Sequence, residues 1–197
     1  MNKPDFIQGI LLAAGQGSRF GGDKLLHRLP GGEVMALASA RHLASALPAV
    51  LAVVRPEHSA LRALLEEAGI PVIIAPDAER GMGHSLAAGV AASAQASGWV
   101  IALADMPYVQ RSTIAAIADG LLAGHEIVAP AYHGRRGNPV GISAKHREAL
   151  LALEGDAGAR HLLQARRELV HLIEVGDPGV IHDIDTPQDL ARQGSAA

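Results

Sequence analysis

Short apolar runs alternate along the chain with longer segments in which apolar residues recur every three or four positions. The runs are continuously apolar, which is typical of strands covered on both faces of a sheet. They predict strands at Ile7–Ala13, Ala49–Val54, Pro71–Ala75, Trp99–Ala104 and Glu126–Pro130. The segments with helical periodicity predict helices at Glu33–Ala46, Glu57–Ala68, His84–Ala96 and Ser112–Ala123.

This regular alternation of strand and helix predicts βαβ units and a mainly parallel sheet. The expected fold class is α/β, a three-layer Rossmann-like arrangement with helices on both faces of the sheet. Gly69, Gly98 and Gly124 each follow a predicted helix, where we expect a left-handed residue to end it.

The regular alternation of strand and helix ends after Pro130, where a loop rich in glycine and arginine precedes the apolar run Pro139–Ser143. The remainder predicts two helices, a strand, a further strand-like segment and a last helix that begins at Thr186-Pro187. Thr186 is a suitable N-cap and Pro187 suits the first helical position. The intermediate elements are expected at Ala144–Leu153, Ala157–Arg167, Leu169–Val175 and Ile181–Ile184.

The composition is that of one globular domain. The chain has 197 residues, 49% of them hydrophobic, and 17 basic against 20 acidic side chains give a net charge of −3. That balance offers no basic surface for nucleic acid or an anionic membrane, and no apolar run is long enough to span a bilayer. The absence of cysteine excludes disulfides, a thiol nucleophile and thiolate metal sites. We expect a single cytoplasmic domain over residues 1–197.

The strongest local signal is the glycine-rich segment from Leu12 to Lys24, directly after the first predicted strand. Ligands of open α/β sheets bind beyond the carboxyl ends of the strands. Glycines there let backbone N–H groups surround an anion, and two cations add to the attraction. The segment therefore predicts a cradle for a triphosphate. Its expected nucleotide-binding residues are Leu12, Ala13, Ala14, Gly15, Gly17, Ser18, Arg19 and Lys24.

The spacing in this segment excludes two familiar phosphate-binding loops. A dinucleotide fingerprint beginning at Gly15 and Gly17 requires a third glycine at position 20, which is Phe20. The second strand is followed by Arg55 and not by the acid that usually binds a ribose. A Walker A loop requires Ser or Thr after its lysine, whereas Leu25 follows Lys24.

Two carboxylates are predicted to lie at ends of strands. Asp105 follows an apolar strand in Leu103-Ala104-Asp105-Met106-Pro107, and Asp185 precedes the last helix in Asp183-Ile184-Asp185-Thr186-Pro187. Hard oxygen ligands of this kind suit Mg²⁺ bound to phosphates. The alternative is that each aspartate only caps a helix. Asp183 remains an alternative to Asp185 as the second ligand.

Other glycine-rich loops supply candidate residues for the two substrates. Gly81 and Ser85 open a helix, where free N–H groups and a hydroxyl suit a nucleotide. The distal loops could clamp a phosphate on an acceptor, with Arg136, Asn138, Asp156 and Arg160 as the candidates. The expected division is a nucleotide-binding half over about residues 1–110 and an acceptor-binding half over about residues 111–190.

The segment Leu12 to Lys24 resembles the signature of nucleotidyltransferases that activate sugars, isoprenoid alcohols and molybdopterin. The resemblance implies that the glycine backbone at Gly15 and Gly17 holds the β- and γ-phosphates. It also implies that Arg19, Lys24 and Asp105 are the catalytic residues, and that Asp105 and Asp185 hold Mg²⁺. Phe20 stands where methionine is commoner.

Taken together, the motifs look most like those of molybdenum cofactor cytidylyltransferases. Besides the glycine loop, they are Gly81–Leu86, Leu103–Pro107, Arg136–Val140, Gly155–Arg160 and Asp183–Pro187. That family transfers CMP from CTP to the phosphate of molybdopterin and releases pyrophosphate. A molybdoenzyme or its chaperone is a further expected partner, because a labile cofactor is better handed over than released. Ala14 favours CTP, because relatives that use GTP carry glycine there.

Three alternatives stay open at this point. One is a guanylyltransferase for the same cofactor, or a nucleotidyltransferase for a sugar or alcohol phosphate. A second is a nucleotide sensor or delivery chaperone without catalysis, which both aspartates oppose. A third is a dinucleotide-dependent oxidoreductase, which Phe20 and Arg55 oppose.

Overall fold

A computed structural model of the chain describes residues 6–15, 20 and 23–193. Its strands are β1 Ile7–Leu12, β2 Ala49–Val54, β3 Val72–Ile74, β4 Gly98–Leu103, β5 Ile127–Tyr132, β6 Arg135–Arg136, β7 Val140–Ser143 and β8 Val170–Glu174. Its α-helices are α1 Met35–Ala46, α2 Ser59–Glu67, α3 Met82–Ala92, α4 Arg111–Leu122, α5 Arg147–Leu151, α6 Arg160–Ala165 and α7 Pro187–Gln193. Within this part of the chain, no helix is long and apolar enough to cross a membrane.

The strands form one mixed sheet in the order β3-β2-β1-β4-β7-β5. Strands β3, β2, β1 and β4 are parallel, so their carboxyl ends share one edge. Strand β7 pairs antiparallel with both β4 and β5, while β8 runs parallel to β5 and β6 pairs antiparallel with it. The prediction of a mostly parallel α/β sheet is confirmed.

Helices cover both faces of the sheet, and each face has its own apolar core. Leu43 of α1, Leu61 of α2 and Ile117 of α4 belong to one buried cluster. Leu86 of α3 and Leu150 of α5 belong to the other, together with residues of α6. Strands between two such layers can be apolar throughout, which explains the continuous apolar runs in the sequence.

The structure differs from the expected elements at several boundaries. Gly98 does not end a helix: α3 stops at Ala92, and Gly98 begins β4 beside Ile7. The glycines at 69 and 124 do adopt positive φ, 77° and 100°, after α2 and α4. The helices predicted at Ala144–Leu153 and Ala157–Arg167 are shorter, and the first begins as the 3₁₀ turn Ala144–His146.

The predicted strand-like segment Ile181–Ile184 is not a strand. A 3₁₀ turn covers Pro178–Ile181, and the following residues join no ladder of the sheet. The segment is held by separate contacts, since Ile184 N–H donates to Asp105 O and Asn138 N–H donates to Val180 O. Its apolar side chains therefore reflect packing into the core and not sheet pairing.

Candidate active site

A cleft of about 720 Å³ opens at the carboxyl ends of the parallel strands. Its size falls within the range of small-molecule sites, roughly 300–1,000 Å³. Nine of the residues predicted to bind substrate or metal line it: Leu12, Ala14, Gly15, Lys24, Gly81, Ser85, Asp105, Asp156 and Asp185. The expectation that ligands bind at this edge of the sheet thus agrees with the shape of the molecule.

Lys24 lies between the two aspartates at the base of this cleft. Its Nζ atom is 2.9 Å from Oδ2 of Asp105 and 2.9 Å from Oδ1 of Asp185. The lysine side chain is only 7% exposed, and it belongs to the 3₁₀ turn Lys24–Leu26 that follows the glycine loop. One ammonium therefore bridges two carboxylates that are distant in the sequence.

Opposing effects act on the pKa of Lys24, and their sum raises it above the ordinary value of 10.5. Burial alone would lower the pKa, because it penalises the charged form. The charges and hydrogen bonds of Asp105 and Asp185 outweigh that penalty. Lys24 is consequently a cation throughout the neutral pH range.

Asp105 is positioned by the end of β4 and by contacts from other elements. Ile184 N–H donates to Asp105 O, and the hydroxyl of Ser39 on α1 donates to Ala104 O at 3.0 Å. Oδ2 of Asp105 bonds Lys24, whereas its Oδ1 is buried and has no hydrogen-bond partner within the described part of the chain. A buried carboxylate oxygen without a donor is costly unless a cation or another donor reaches it.

Capping does not explain either aspartate. The carboxylate that meets the start of α4 is Asp177, whose Oδ2 accepts from Gln110 N–H and from the hydroxyl of Thr113. At the start of α7, Asp189 Oδ2 accepts from the backbone N–H groups of Asp185 and Thr186. The carboxylate of Asp185 lines the cleft and pairs with Lys24.

These two carboxylates fit a divalent cation. Both supply hard oxygen atoms, and a cation would satisfy the buried Oδ1 of Asp105, which has no hydrogen-bond donor among the described residues. In the described ranges, 6–15, 20 and 23–193, no group of three His, Cys, Asp or Glu side chains could hold a metal. A metal here would therefore depend on phosphate oxygens and water for its other ligands. Asp183 is exposed and does not line the cleft.

The second wall of the cleft is built by two loops that interlock through glycine. Gly83 N–H donates to Gly155 O at 2.8 Å, and a Cβ on Gly81 would lie 2.2 Å from the carbonyl carbon of Gly155. Asp156, which follows Gly155, lines the cleft together with Ser85, whose side chain is 2% exposed. Asp156, assigned from the sequence to the acceptor half, thus lines the same cleft as the nucleotide-binding candidates.

The other predicted acceptor residues lie outside the cleft. Arg136 is exposed on β6, and Arg160 is exposed at the start of α6. Asn138 precedes a cis peptide bond to Pro139 and borders a separate small cavity beside Ser39. The structure does not bring these three side chains together with the Lys24 centre, so their role in binding an acceptor stays a prediction. Gly17, Ser18 and Arg19 lie outside the described residues.

Sequence reasoning missed several residues that line the cleft, among them Arg55 and His58. Arg55 follows β2, and its Nη2 is hydrogen-bonded to Nε2 of His58. Both line the cleft, although neither was among the candidate site residues of the sequence. The available signal was the position of Arg55 directly after a predicted parallel strand, at the edge of the sheet where ligands bind.

Comparison with known proteins agrees with this architecture. The model of the MobA-like NTP transferase domain matches residues 9–171. The chain is 34% identical to purine catabolism protein PucB of Bacillus subtilis, over 95% of this chain and 97% of that protein. It is 32% identical to nicotine blue oxidoreductase of Paenarthrobacter nicotinovorans, over 94% of this chain and 95% of that protein.

A solved structure also superposes over nearly the whole chain. Rv0371c from Mycobacterium tuberculosis gives a TM-score of 0.85 at 30% identity, covering 98% of both chains. Its complex with manganese gives a TM-score of 0.79 at 28% identity, covering 95% of this chain and 97% of that one. That relative therefore binds a divalent cation in at least one crystal.

Fold, site and sequence similarity agree on the class of protein, which is a nucleotidyltransferase. Within that class, the chain belongs to the MobA-like NTP transferase family.

Proposed function

We propose that this protein transfers CMP from CTP to the terminal phosphate of a molybdopterin-type cofactor and releases pyrophosphate, with Mg²⁺ as its metal. The observation that carries the proposal is the bridge from Lys24 to Asp105 and Asp185 at the base of the cleft. This bridge places one cation and two candidate metal ligands at the ends of β1 and β4, where the proposed triphosphate would bind.

The reaction requires no nucleophile from the protein. An anionic oxygen of the acceptor phosphate attacks the α-phosphorus of CTP, a new P–O bond forms, and the bond to pyrophosphate breaks. Because that oxygen is already ionised near neutral pH, no general base is needed either. Mg²⁺ held by Asp105 and Asp185 would neutralise charge on the triphosphate.

The residues of the chain then act by positioning and by stabilising charge. The ammonium of Lys24 lies beside both carboxylates, so it would contact the same phosphate group as the metal that they hold. The lysine side chain is only 7% exposed, which limits competition from water. Gly15 lines the cleft, and its backbone is proposed to approach the phosphates without a side chain in the way. Ser39 and Ile184 keep Asp105 in place through backbone hydrogen bonds.

The choice of CTP rests on Ala14. This residue lines the cleft and is 6% exposed, so its methyl group narrows the space beside the phosphate-binding turn. The motif resemblance associates alanine at this position with CTP and glycine with GTP. A guanylyltransferase for the same cofactor remains the second candidate.

The choice of acceptor rests on the motifs of the second half of the chain. Asp156 lines the cleft, and Arg136, Asn138 and Arg160 are proposed to meet the acceptor from outside it. The product would pass to a molybdoenzyme or its chaperone, and the proposed location is the cytoplasm.

The name of the other relative, nicotine blue oxidoreductase, makes redox chemistry the competing hypothesis. The test is calorimetric titration of the purified protein with CTP, GTP, ATP and NADPH in the presence of Mg²⁺. Selective CTP binding that Lys24→Ala abolishes supports the proposal and justifies a turnover assay with molybdopterin. Preference for GTP would change the nucleotide, and binding of NADPH alone would overturn the transferase mechanism.

A further inference from the structure

Arg55 occupies a defined position relative to the metal-binding carboxylates. Val53, Leu12 and Leu103 form one row across β2, β1 and β4. Arg55, Ala14 and Asp105 each follow two residues later, so they lie side by side at the edge of the sheet. Since neighbouring strands are about 4.8 Å apart, Arg55 and Asp105 are separated by about 10 Å, with Ala14 between them.

The charge of Arg55 is not balanced within the described residues. The described residues bring two Lys or Arg side chains to the cleft, and Lys24 is neutralised by its aspartates. Arg55 has no carboxylate within ion-pairing distance among the described residues; its hydrogen bond is to His58, and its buried Nε has no partner. A guanidinium with unused N–H donors can donate hydrogen bonds to acceptor atoms of a ligand.

The surroundings of Arg55 suit a base better than a triphosphate. Ala78, Ser85 and Glu79 line the same cleft as Arg55, and they contribute an apolar surface, a buried hydroxyl and an exposed carboxylate. A carboxylate repels phosphate but accepts a hydrogen bond from an amino group. The cleft therefore presents both donors and acceptors, which match the carbonyl, ring nitrogen and exocyclic amine of cytosine.

We propose that Arg55 is a specificity-determining residue that binds the nucleobase, donating from its guanidinium to the carbonyl oxygen and ring nitrogen of cytosine. This rests on the proposed function, because a triphosphate placed at Asp105 leaves its nucleoside to extend across Ala14 towards β2. His58 is a positioning residue. Its Nε2 accepts from Arg55 Nη2 and thereby holds the plane of the guanidinium.

The experiment compares CTP with inorganic tripolyphosphate, which has the phosphates but no nucleoside. Both are titrated calorimetrically, with Mg²⁺, into the wild type, Arg55→Met and the control Arg62→Met. Arg62 is an exposed arginine of α2 that pairs with Glu66 and does not line the cleft. We expect Arg55→Met to weaken CTP binding at least about tenfold, as loss of a bidentate contact does, and to change tripolyphosphate binding less than about twofold.

A double-mutant cycle tests the role of His58. His58→Leu should weaken CTP binding in the wild-type background and have no further effect in Arg55→Met, because its action passes through the guanidinium. Arg55→Lys, which keeps the charge but not the planar fork, should still lose most of the CTP affinity. This variant provides the test if Arg55→Met does not fold.

The outcomes separate this inference from the proposed function. Equal weakening of CTP and tripolyphosphate would mean that Arg55 binds phosphate, and unchanged CTP binding would mean that it binds neither; both overturn the inference. In either case the wild-type titration still decides the nucleotide. If the wild type prefers GTP, the proposed nucleotide fails, and the ratio between GTP and tripolyphosphate tests Arg55 in the same way.

Discussion

The ammonium of Lys24 lies 2.9 Å from Oδ2 of Asp105, which follows the end of strand β4. The same ammonium is equally close to Asp185, 161 positions further along the chain. The arrangement prevents two neighbouring carboxylates from repelling each other in a partly buried site. It also places the cation and the metal ligands of the proposed reaction within contact of one another.

Replacing Lys24 by methionine should abolish most turnover while leaving the protein folded. The change removes a preorganised cation at the phosphates, and loss of one such group typically lowers kcat by about 10²–10³. Turnover is measured as pyrophosphate release from CTP with the acceptor present. Lys145→Met is the control, because Lys145 is exposed and pairs with Glu126 away from the cleft. A folded Lys24→Met enzyme with normal turnover would remove the lysine from the mechanism.

The metal pair can be tested without turnover, by titrating Mn²⁺ and detecting the free ion by electron paramagnetic resonance in the presence of CTP. Asp105→Asn and Asp185→Asn should each weaken Mn²⁺ binding at least about tenfold, because an amide is a poorer ligand than a carboxylate. Asp183→Asn is the matched control, two residues before Asp185 and exposed. If Asp183→Asn has the larger effect, the second ligand has been assigned to the wrong aspartate.

The raised pKa of Lys24 predicts a particular dependence of stability on pH. A group whose folded pKa exceeds its unfolded value stabilises the fold below the unfolded value, and this contribution is lost as pH rises through the folded value. The difference in unfolding free energy between wild type and Lys24→Met should therefore stay nearly constant from about pH 7 to about pH 10 and decrease only above the ordinary value of 10.5. Urea unfolding at a series of pH values measures it. A difference that is absent, or that changes between pH 7 and 9, would contradict the raised pKa of Lys24.

The contact between the α3 turn and the loop at Gly155 predicts that Gly83→Ala disturbs the second wall. A Cβ on Gly83 would lie 2.9 Å from the backbone of Glu154, so the loop must move. The gain in helix propensity offsets part of the strain, and we expect a net loss of about 1–2 kcal/mol. CTP affinity should fall as well, since the loop that must move also carries Asp156, which lines the cleft. Gly31→Ala is the control, because a Cβ there meets nothing within 4 Å. Equal thermal stability of both variants would contradict the close contact.

Much of the candidate nucleotide-binding site could be predicted because its signals are local. Gly15, Lys24 and Asp105 each stand next to a strong apolar run, and the carboxyl ends of parallel strands meet at one edge. The role of Asp177 could not be predicted. Asp177 is 2% exposed and accepts a hydrogen bond from Gln110 N–H at the start of α4, although it lies 67 residues further along the chain. Nothing in the sequence around either residue indicates that pairing.

The sequence by itself determined the order of the first strands and helices, the glycine turn and the two aspartates, because these follow from short-range sterics and from the period of apolar residues. The tertiary structure alone decided that Asp156 lines the same cleft as Ser85, that β7 enters between β4 and β5, and that Arg55 and His58 line that cleft. Each of these depends on strand order and on the packing of loops far apart in the chain. Such contacts are selected by the free energy of the whole fold and leave no periodic pattern in the sequence.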